Sequence, residues 1–334
     1  MYRLPYLLIV VAALMAQSES PPFPPPGKLV DVGGWQLHLN CTGEDRAGQP
    51  TVILEAGLGG FSVEWSVVQP GVSKFARVCS YDRAGDGWSE LGPHPRTFRQ
   101  IVYELHALLE KGRIKPPLIL AGHSYGGWLV RVYEQTYPSD VVAMVLIEAG
   151  IDDPWRMMPD GKLVRSSELA ATRQIPAIKV SGPLRVSDIP PAALKQMKAG
   201  AEQLARNPNE APRNKLPANA QRMRAWALGQ IGHIAAGVNE FEAEELAELR
   251  AQRAKSERTL GDKPLIVLTR GIPDEHGPSG EELEAEHRRE HAALVKMSSR
   301  AKLVIAEHSG HHVQLEEPEL VIQSIREVFT ATQK

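Results

Sequence analysis

The stretch Pro117-Leu-Ile-Leu-Ala-Gly-His-Ser-Tyr-Gly-Gly127 decides the fold, because an apolar run ends there in a serine flanked by glycines. Residues 117–121 predict a buried strand, and a helix is predicted from about Tyr125. Between them Gly122, Ser124 and Gly126 match the G-x-S-x-G nucleophile elbow, in the strand–turn–helix context that it requires. The glycines let the strand and the helix pass closely, and the strained turn presents the hydroxyl. We predict that Ser124 is a nucleophile; the alternative is a tight structural turn.

Working outward from this stretch, short apolar runs alternate with helical patterns. This order predicts a mostly parallel, doubly wound sheet covered on both faces, in an α/β protein. Gly33-Gly34 separates the first two runs and predicts an N-terminal antiparallel hairpin. Helices are predicted over 99–109 and about 317–331. The eight predicted strands are 28–32, 35–39, 51–55, 76–81, 117–121, 141–147, 264–269 and 301–306.

The strand pattern stops at residue 151 and returns near 263. Residues 151–262 are rich in proline and mostly of helical character, including 239–249. We predict that this segment is a helical lid inserted into one core domain, formed by 28–150 and 263–334. Such an insertion would cover the carboxyl ends of the strands, where sheets of this kind bind ligands.

The first 27 residues predict export. A basic start, the apolar run 7–16 and small polar residues after it describe a signal peptide over 1–20. The alternative is an uncleaved N-terminal membrane anchor, although the run is shorter than the roughly 20 residues of a spanning helix. Residues 21–27 are rich in proline and predict a semi-rigid spacer. The protein is therefore expected in the periplasm or outside the cell.

Composition narrows the possible partners. The chain has 334 residues, of which 43% are hydrophobic and 23% charged, as in a globular protein with a sizeable core. A formal net charge of -2 gives no reason to expect nucleic acid as a partner. The only two cysteines, Cys41 and Cys79, are expected to form a disulfide if the chain is exported, the alternative being two buried thiols. The oligomeric state is left open.

Two loops and one late histidine complete the expected chemistry. The amide of Tyr125, at the helix start, would point at a developing oxyanion, and the glycine-rich loop 55–60 offers the N–H of Leu58 as a second donor. A general base is expected late in the chain, where 308–312 contains three histidines after the last strand. We choose His311, which follows Gly310 directly, over its neighbours His308 and His312.

Four motifs, in this order along the chain, resemble those of the α/β-hydrolase superfamily. They are Glu55-Ala-Gly-Leu-Gly-Gly60, Tyr81-Asp-Arg-Ala-Gly-Asp-Gly-Trp-Ser89, Gly122-His-Ser-Tyr-Gly-Gly127 and Ser309-Gly-His311. The resemblance covers about 28–331 and implies the α/β-hydrolase fold, with 151–262 as its variable lid. It also implies that the second and fourth strands are neighbours, which would bring the two cysteines together. Asp86 is a departure, since an aromatic residue is common at that place.

The triad acid has two candidates. The usual position in the family, after strand 264–269, offers Asp274, but the loop there does not align cleanly. The alternative is Glu148, at the end of strand 141–147, where some relatives carry a glutamate. Either carboxylate could orient the imidazole and stabilise the imidazolium. We prefer Glu148, because a buried carboxylate at a strand end needs a partner.

One rival pattern points to metal chemistry. His287 and His291 belong to an H-x-x-E-H sequence, and two histidines four residues apart on a helix could bind zinc. The surrounding residues 281–291 are highly charged, so a solvated helix face is the simpler interpretation. No metal and no organic cofactor are expected.

The function predicted from these residues is hydrolysis of a carboxylester by a serine hydrolase through a Ser124–His311–acid triad and an acyl-enzyme. Amidase, peptidase, lactonase or haloperoxidase-like activity on the same triad are alternatives. A non-catalytic binding protein of the same fold is an alternative of another class. Trp155 and Trp226 are candidates for apolar contacts with a small-molecule acyl substrate.

Overall fold

An eight-stranded sheet forms the centre of the molecule. The computed structural model describes residues 22–333 apart from 159, 161, 170–172, 238 and 274–277. The strands are β1 (Lys28–Asp31), β2 (Gln36–Thr42), β3 (Thr51–Glu55), β4 (Val78–Tyr81), β5 (Leu118–His123), β6 (Val141–Ile147), β7 (Trp155–Met157), β8 (Leu163–Arg165), β9 (Leu265–Arg270) and β10 (Ala301–Ala306). The main sheet has the order β1-β2-β4-β3-β5-β6-β9-β10, while β7 and β8 form a small sheet of their own. Only the pairs that involve β2 in the main sheet are antiparallel, so the predicted mostly parallel sheet is confirmed.

Helices cover both faces of this sheet. They are α1 (Gln69–Val72), α2 (Phe98–Gly112), α3 (Tyr125–Thr136), α4 (Ser166–Leu169), α5 (Pro191–Arg206), α6 (Ala218–Leu228), α7 (Ile231–Ala236), α8 (Glu242–Lys255), α9 (Pro278–Leu294), α10 (Val313–Glu316) and α11 (Pro318–Ala331). In β3, Ile53 belongs to the apolar core that contains Leu105 of α2. Its neighbour Val52 belongs to the opposite core, with Ile325 of α11. Because both faces are buried, the strand reads as a continuous apolar run.

The N-terminal hairpin forms at the predicted glycines. Val32 N–H donates to Trp35 O at 2.9 Å, which leaves Gly33 and Gly34 as the turn. Their φ angles are 141° and 102°, a region that favours glycine. The carboxylate of Asp31 accepts both glycine N–H groups at 2.8 Å. The turn thus sets the register that joins β1 to β2.

A disulfide joins Cys41 of β2 to Cys79 of β4. The two residues lie directly opposite each other in the antiparallel register of these strands. Closing a loop with a sequence separation of 38 stabilises the fold by about 4 kcal/mol in the chain-entropy estimate. The predicted bridge is present in the structure.

The segment before β1 packs against the domain. The predicted signal peptide, 1–20, lies outside the described residues. Phe23 packs against the ring of Trp226, and its carbonyl accepts a hydrogen bond from Trp88 Nε1 at 2.9 Å. Pro26 O lies 2.5 Å from Nε2 of the buried His38. Residues 22–27 are therefore docked, whereas the sequence had suggested a spacer ahead of the fold.

Residues 151–262 connect β6 to β9, which are neighbours in the sheet. The described part contains α4 to α8 and the β7–β8 hairpin, and the predicted helix over 239–249 corresponds to α8. Buried ion pairs tie this segment to the core, including Arg131–Asp152 at 2.6 Å and Arg224–Glu64 at 2.6 Å. Its role as a lid stays a prediction. Within the described ranges, none of the helices combines the length and apolarity needed to cross a membrane.

Candidate active site

Ser124 occupies the sharp turn between β5 and α3. Its φ and ψ are 52° and −118°, which is a strained conformation for a residue with a side chain. Three backbone hydrogen bonds hold it there. Its N–H donates to Ile147 O at 3.1 Å, and its carbonyl accepts the N–H groups of Gly127 at 2.8 Å and Gly150 at 2.9 Å. The strain is therefore fixed by the end of the neighbouring strand β6.

The glycines around Ser124 are required by contact between backbones. A Cβ atom at Gly122 would lie 2.5 Å from the carbonyl oxygen of Gly126. A Cβ atom at Gly126 would lie 2.5 Å from the carbonyl oxygen of Glu55. Backbone cannot move aside as a flexible side chain can, so both positions need glycine. This is the close passage of strand and helix that the sequence predicts.

His311 reaches the serine from the loop that follows β10. Its Nε2 lies 2.9 Å from Ser124 Oγ. The loop is held by His123, which lies directly before the serine and donates from Nε2 to His311 O at 2.8 Å. The amide of Gln314 faces His123 Nδ1 at 3.3 Å and supports this tautomer. Of the three histidines at 308–312, His308 is exposed and His312 packs beside His123.

Glu148 lies on the other side of His311, at the end of β6. His311 Nδ1 is 3.8 Å from Glu148 Oε1. The carboxylate is buried and accepts the backbone N–H of Arg270 at 2.8 Å and its guanidinium at 2.9 Å. Burial alone would raise the pKa of Glu148, but His311, His291, His287 and Arg270 outweigh burial and lower it to about 2. Glu148 is thus a carboxylate at neutral pH. The alternative acid, Asp274, lies outside the described residues.

His287 and His291 of α9 pack against this carboxylate. His287 Nε2 lies 2.6 Å from Glu148 Oε1, and His291 donates from Nε2 to Ala149 O at 2.8 Å. His291 is fully buried. The expectation that these histidines occupy a solvated face is therefore wrong. Helix α9 does carry many charges. His287 and His291, which are four residues apart, nevertheless lie on the face of the helix that packs against the end of β6.

The loop after β3 lies against the serine, as predicted for an oxyanion loop. A Cβ atom at Gly57 would come within 3.3 Å of Ser124 Cβ. The guanidinium of Arg83 holds this loop by donating to three of the loop's carbonyls: Ala56 O at 2.8 Å, Gly57 O at 2.6 Å and Gly60 O at 3.1 Å. Within the loop Gly60 N–H donates to Gly57 O at 3.0 Å, and the predicted donor, Leu58 N–H, lies between the carbonyls that the guanidinium binds.

The two proposed oxyanion donors differ in their surroundings. Tyr125 is the first residue of α3, so its N–H has no partner within the helix. Leu58 belongs to the loop held by Arg83 and is 57% exposed. It lines a cavity of about 480 Å³ beside the loop. The cavity is lined largely by the segment 151–262, with Arg213, Leu228 and His233 among its walls.

The two predicted substrate tryptophans lie elsewhere. Trp226 packs at a tilt against Trp88 and lines a different cavity, with residues such as Leu184 and Gly232. Trp155 donates to Glu286 and lies under the guanidinium of Arg165, 4.0 Å from its ring centroid. Neither is among the residues that line the cavity beside Leu58. Their roles in substrate binding stay predictions.

Asp86, where the resemblance suggested an aromatic residue, joins the core to the segment 151–262. Its carboxylate is buried, 2.8 Å from His233 Nδ1 of α7 and 3.6 Å from Arg83. His233 lines the cavity beside Leu58, so the buried Asp86 carboxylate is linked through it to one wall of that cavity. An aromatic ring at this place would not supply that link.

The comparisons with known proteins concern the family and the fold. A family profile described as "Alpha/beta hydrolase family" matches residues 52–324. The chain belongs to this family. An AB hydrolase superfamily protein from Gibberella zeae is 28% identical over 320 residues, which cover 88% of this chain and 91% of that protein. Some other curated relatives are matched over only 20% of their own length.

Solved structures of the family share the fold. A thermophilic esterase from Thermogutta terrifontis is 19% identical with a TM-score of 0.59, and the match covers 92% of this chain and 100% of that one. An enol-lactonase from Burkholderia xenovorans is 18% identical with a TM-score of 0.59, over 91% and 100% of the two chains. At these identities the likeness shows the fold alone.

Sequence reasoning missed several polar residues that surround the predicted ones. Arg83 was visible only as part of the motif at 81–89, where nothing local indicates that its guanidinium reaches three carbonyls. Arg270 ends β9, beside the end of β6, so its position in the sheet could have suggested a contact with Glu148. The spacing of His287 and His291 did predict a shared helix face, but not which element that face meets.

Proposed function

We propose that the protein is a serine hydrolase that cleaves carboxylesters, with Ser124 as nucleophile, His311 as general base and Glu148 as the acid of the triad. The observation that carries the proposal is the distance of 2.9 Å between Ser124 Oγ and His311 Nε2, at a serine held in the strained elbow conformation. Membership of the alpha/beta hydrolase family supports it.

The mechanism follows from the two sides of His311. Nε2 takes the proton of Ser124 while Oγ attacks the ester carbonyl, so a C–O bond forms and the imidazole becomes an imidazolium. The developing cation faces the buried Glu148 carboxylate, which stabilises it and holds the proton on Nδ1. The amides of Leu58 and Tyr125 would receive the oxyanion.

Collapse of the tetrahedral intermediate breaks the bond to the alcohol, which leaves with the proton of His311 Nε2. Water then enters, gives its proton to the same nitrogen and attacks the acyl-enzyme. The acid product leaves as Ser124 recovers its proton. The low pKa of Glu148, about 2, keeps the carboxylate charged through the whole cycle at neutral pH.

An ester is the substrate class that the site supports best. An alcohol needs less protonation on leaving than an amine does, so an ester makes the smallest demand on His311. The cavity beside Leu58 offers apolar walls, including Leu204, Leu228 and Ile234, for the acyl or the alcohol portion. Esterases and lactonases among structures of the same fold are consistent with this choice.

Export to the periplasm or the outside of the cell belongs to the same proposal. It is supported by the residue pattern of 1–20 and by the disulfide between Cys41 and Cys79, which persists in oxidising compartments. The mass of the mature N-terminus after expression in a secreting host checks this part.

The test combines covalent labelling with kinetics. A serine-directed phosphonate is expected to add one label at Ser124 in the wild type and none in Ser124→Ala. A chain-length panel of chromogenic esters and matched amides is expected to show ester hydrolysis, reduced at least about 10⁴-fold in Ser124→Ala. A Ser124→Ala protein that hydrolyses the esters at the wild-type rate would refute the proposal.

A further inference from the structure

Glu148, His287 and His291 form a cluster of possible metal ligands beside the triad. Each residue offers one ligand atom, and these atoms all lie within 4.8 Å of one another. The two histidines are four residues apart on α9 and therefore share one helix face. An imidazole pair of this spacing with one carboxylate is a ligand set typical of zinc.

His291 carries the strongest sign that something belongs between these groups. In the neutral ring Nε2 carries the proton that it donates to the carbonyl of Ala149 at 2.8 Å, so Nδ1 holds a lone pair. That lone pair faces Glu148 Oε2 at 3.8 Å, in a fully buried side chain. Among the described residues Nδ1 has no hydrogen-bond partner. Two buried acceptors that face each other are unfavourable unless a cation or a proton lies between them.

The hydrogen bond of His291 is also the one that a metal ligand needs. Histidines that bind a metal through one ring nitrogen usually donate from the other to a backbone carbonyl or a carboxylate, which fixes the ring. Ala149 O supplies that acceptor, one residue after Glu148. The ring is therefore held with its free nitrogen turned to the carboxylate before any ion arrives.

The local charge favours a cation. Arg270 bridges the carboxylates of Glu148 and Glu284, at 2.9 Å and 2.7 Å, so these three groups together keep one negative charge. His287 retains 13% side-chain exposure, which gives an ion a way in.

We propose that Glu148, His287 and His291 bind one divalent transition-metal ion of the zinc type. The ion binds His291 Nδ1, His287 Nε2 and the Glu148 carboxylate. The proton that it displaces from His287 Nε2 passes through solvent to Nδ1 of the same ring, which stays neutral. Ligand atoms about 2.0–2.2 Å from one tetrahedral ion lie about 3.4 Å apart. The 3.8 Å pair must close slightly, and the 2.6 Å pair must open by less than about 1 Å.

Occupancy of this site inhibits the enzyme. Oε1 is the carboxylate oxygen that faces His311, and the ion draws on the same carboxylate. A bound dication also opposes the formation of an imidazolium a few ångströms away. The ion thus acts as a reversible inhibitor and plays no part in the reaction. This consequence rests on the proposed function, whereas the binding itself does not.

Binding is tested on the whole chain without any assay of activity. Chelator-treated wild type, dialysed against Zn²⁺ at pH 7.5, is expected to hold one ion per chain by elemental analysis, and Ser124→Ala the same. His291→Gln is expected to hold none, since its amide can still donate to Ala149 O but is a poor zinc ligand. His308→Gln changes an exposed histidine and is the matched control, with one ion expected.

Co²⁺ gives an independent signature, because a tetrahedral site produces strong visible absorption bands. These bands are expected in wild type and Ser124→Ala, and absent in His291→Gln. A wild type that takes up no ion overturns the proposal whatever the variants do. So does His291→Gln with undiminished zinc and cobalt.

The inhibitory consequence has its own readout. Zn²⁺ is expected to reduce ester hydrolysis by the wild type at least tenfold, and a chelator to restore it. The ratio of rates with and without zinc should stay near one in His291→Gln, whatever its basal rate. Zinc uptake with unchanged hydrolysis refutes the inhibitory role of the ion. Absence of zinc uptake in a protein that the phosphonate labels at Ser124 refutes the metal site and leaves the proposed function standing.

Discussion

The elbow around Ser124 and the acid cluster around Glu148, which also contains Arg270, His287 and His291, flank the same imidazole but are built in different ways. The elbow is local, since six consecutive residues, 122–127, provide the turn and its glycines. The acid cluster draws its members from the end of β6, the end of β9 and α9. The elbow is constrained by its backbone, and this constraint is visible in the sequence as a motif. The acid cluster forms from side chains that are distant in the sequence.

The two regions also differ in what holds them. At the elbow, carbonyl oxygens lie only 2.5 Å from the positions of added Cβ atoms, so the constraint is steric and the packed backbone can adjust little. In the acid cluster a single carboxylate is shared by a guanidinium and several imidazoles, so the constraint is electrostatic. Substitutions of the elbow glycines should therefore act first on folding, and substitutions in the cluster first on the chemistry.

Among the changes that leave the nucleophile in place, Glu148→Gln has the largest expected effect. The amide keeps the size of the side chain but cannot stabilise an imidazolium at His311, so kcat should fall about 10³- to 10⁴-fold with KM nearly unchanged. Steady-state kinetics on the best chromogenic ester measures it. Asp274→Asn, which removes the alternative acid, should keep wild-type kcat. The opposite ranking of the two variants would move the acid to residue 274.

This contrast explains what the sequence alone could predict. Strand alternation, the two-glycine hairpin and the elbow each follow from residues close together in the chain, and the structure confirms them. The choice of His311 needed only a glycine and a position after the last strand. The burial of His287 could not be predicted, because the residues of a charged helix do not indicate which element its inward face will contact.

Gly126→Ala tests the steric side of the comparison. The new Cβ would lie 2.5 Å from the carbonyl oxygen of Glu55, so β3 and α3 must separate. Overpacking of backbone against backbone should lower the free energy of unfolding by about 3 kcal/mol, measured by urea denaturation.

The matched control is Gly200→Ala, in α5. There the new Cβ would lie 3.5 Å from Ile234 Cδ1, an ordinary van der Waals contact. Alanine in a helix interior should raise the free energy of unfolding by about 0.5–1 kcal/mol relative to glycine. If both glycines tolerate alanine equally, close passage at the elbow is not what requires Gly126.

Arg83→Lys tests the part of the oxyanion loop that the sequence did not indicate. A lysine keeps the charge, but a single ammonium cannot reproduce the planar fork that binds three carbonyls of residues 56–60. A loosened loop should lower kcat about tenfold while phosphonate labelling still reaches completion, only more slowly. Unchanged kcat would mean that the loop keeps its shape without this anchor.

His312→Asn should give the smallest effect, on stability as a function of pH. Burial, together with Arg213, His311 and Arg224, lowers the pKa of His312 from 6.5 to about 3. As pH falls below 6.5 the unfolded chain binds this proton and the folded chain does not until about pH 3, so stability is lost across that window. His312→Asn removes this contribution, and its advantage over wild type should grow by about 1 kcal/mol between pH 7 and about pH 5.5 in urea denaturation. His308→Asn, at an exposed position four residues earlier in the same loop, is the matched control for the loss of one histidine. Parallel curves for wild type and His312→Asn would show that the ring beside His123 titrates alike in both states.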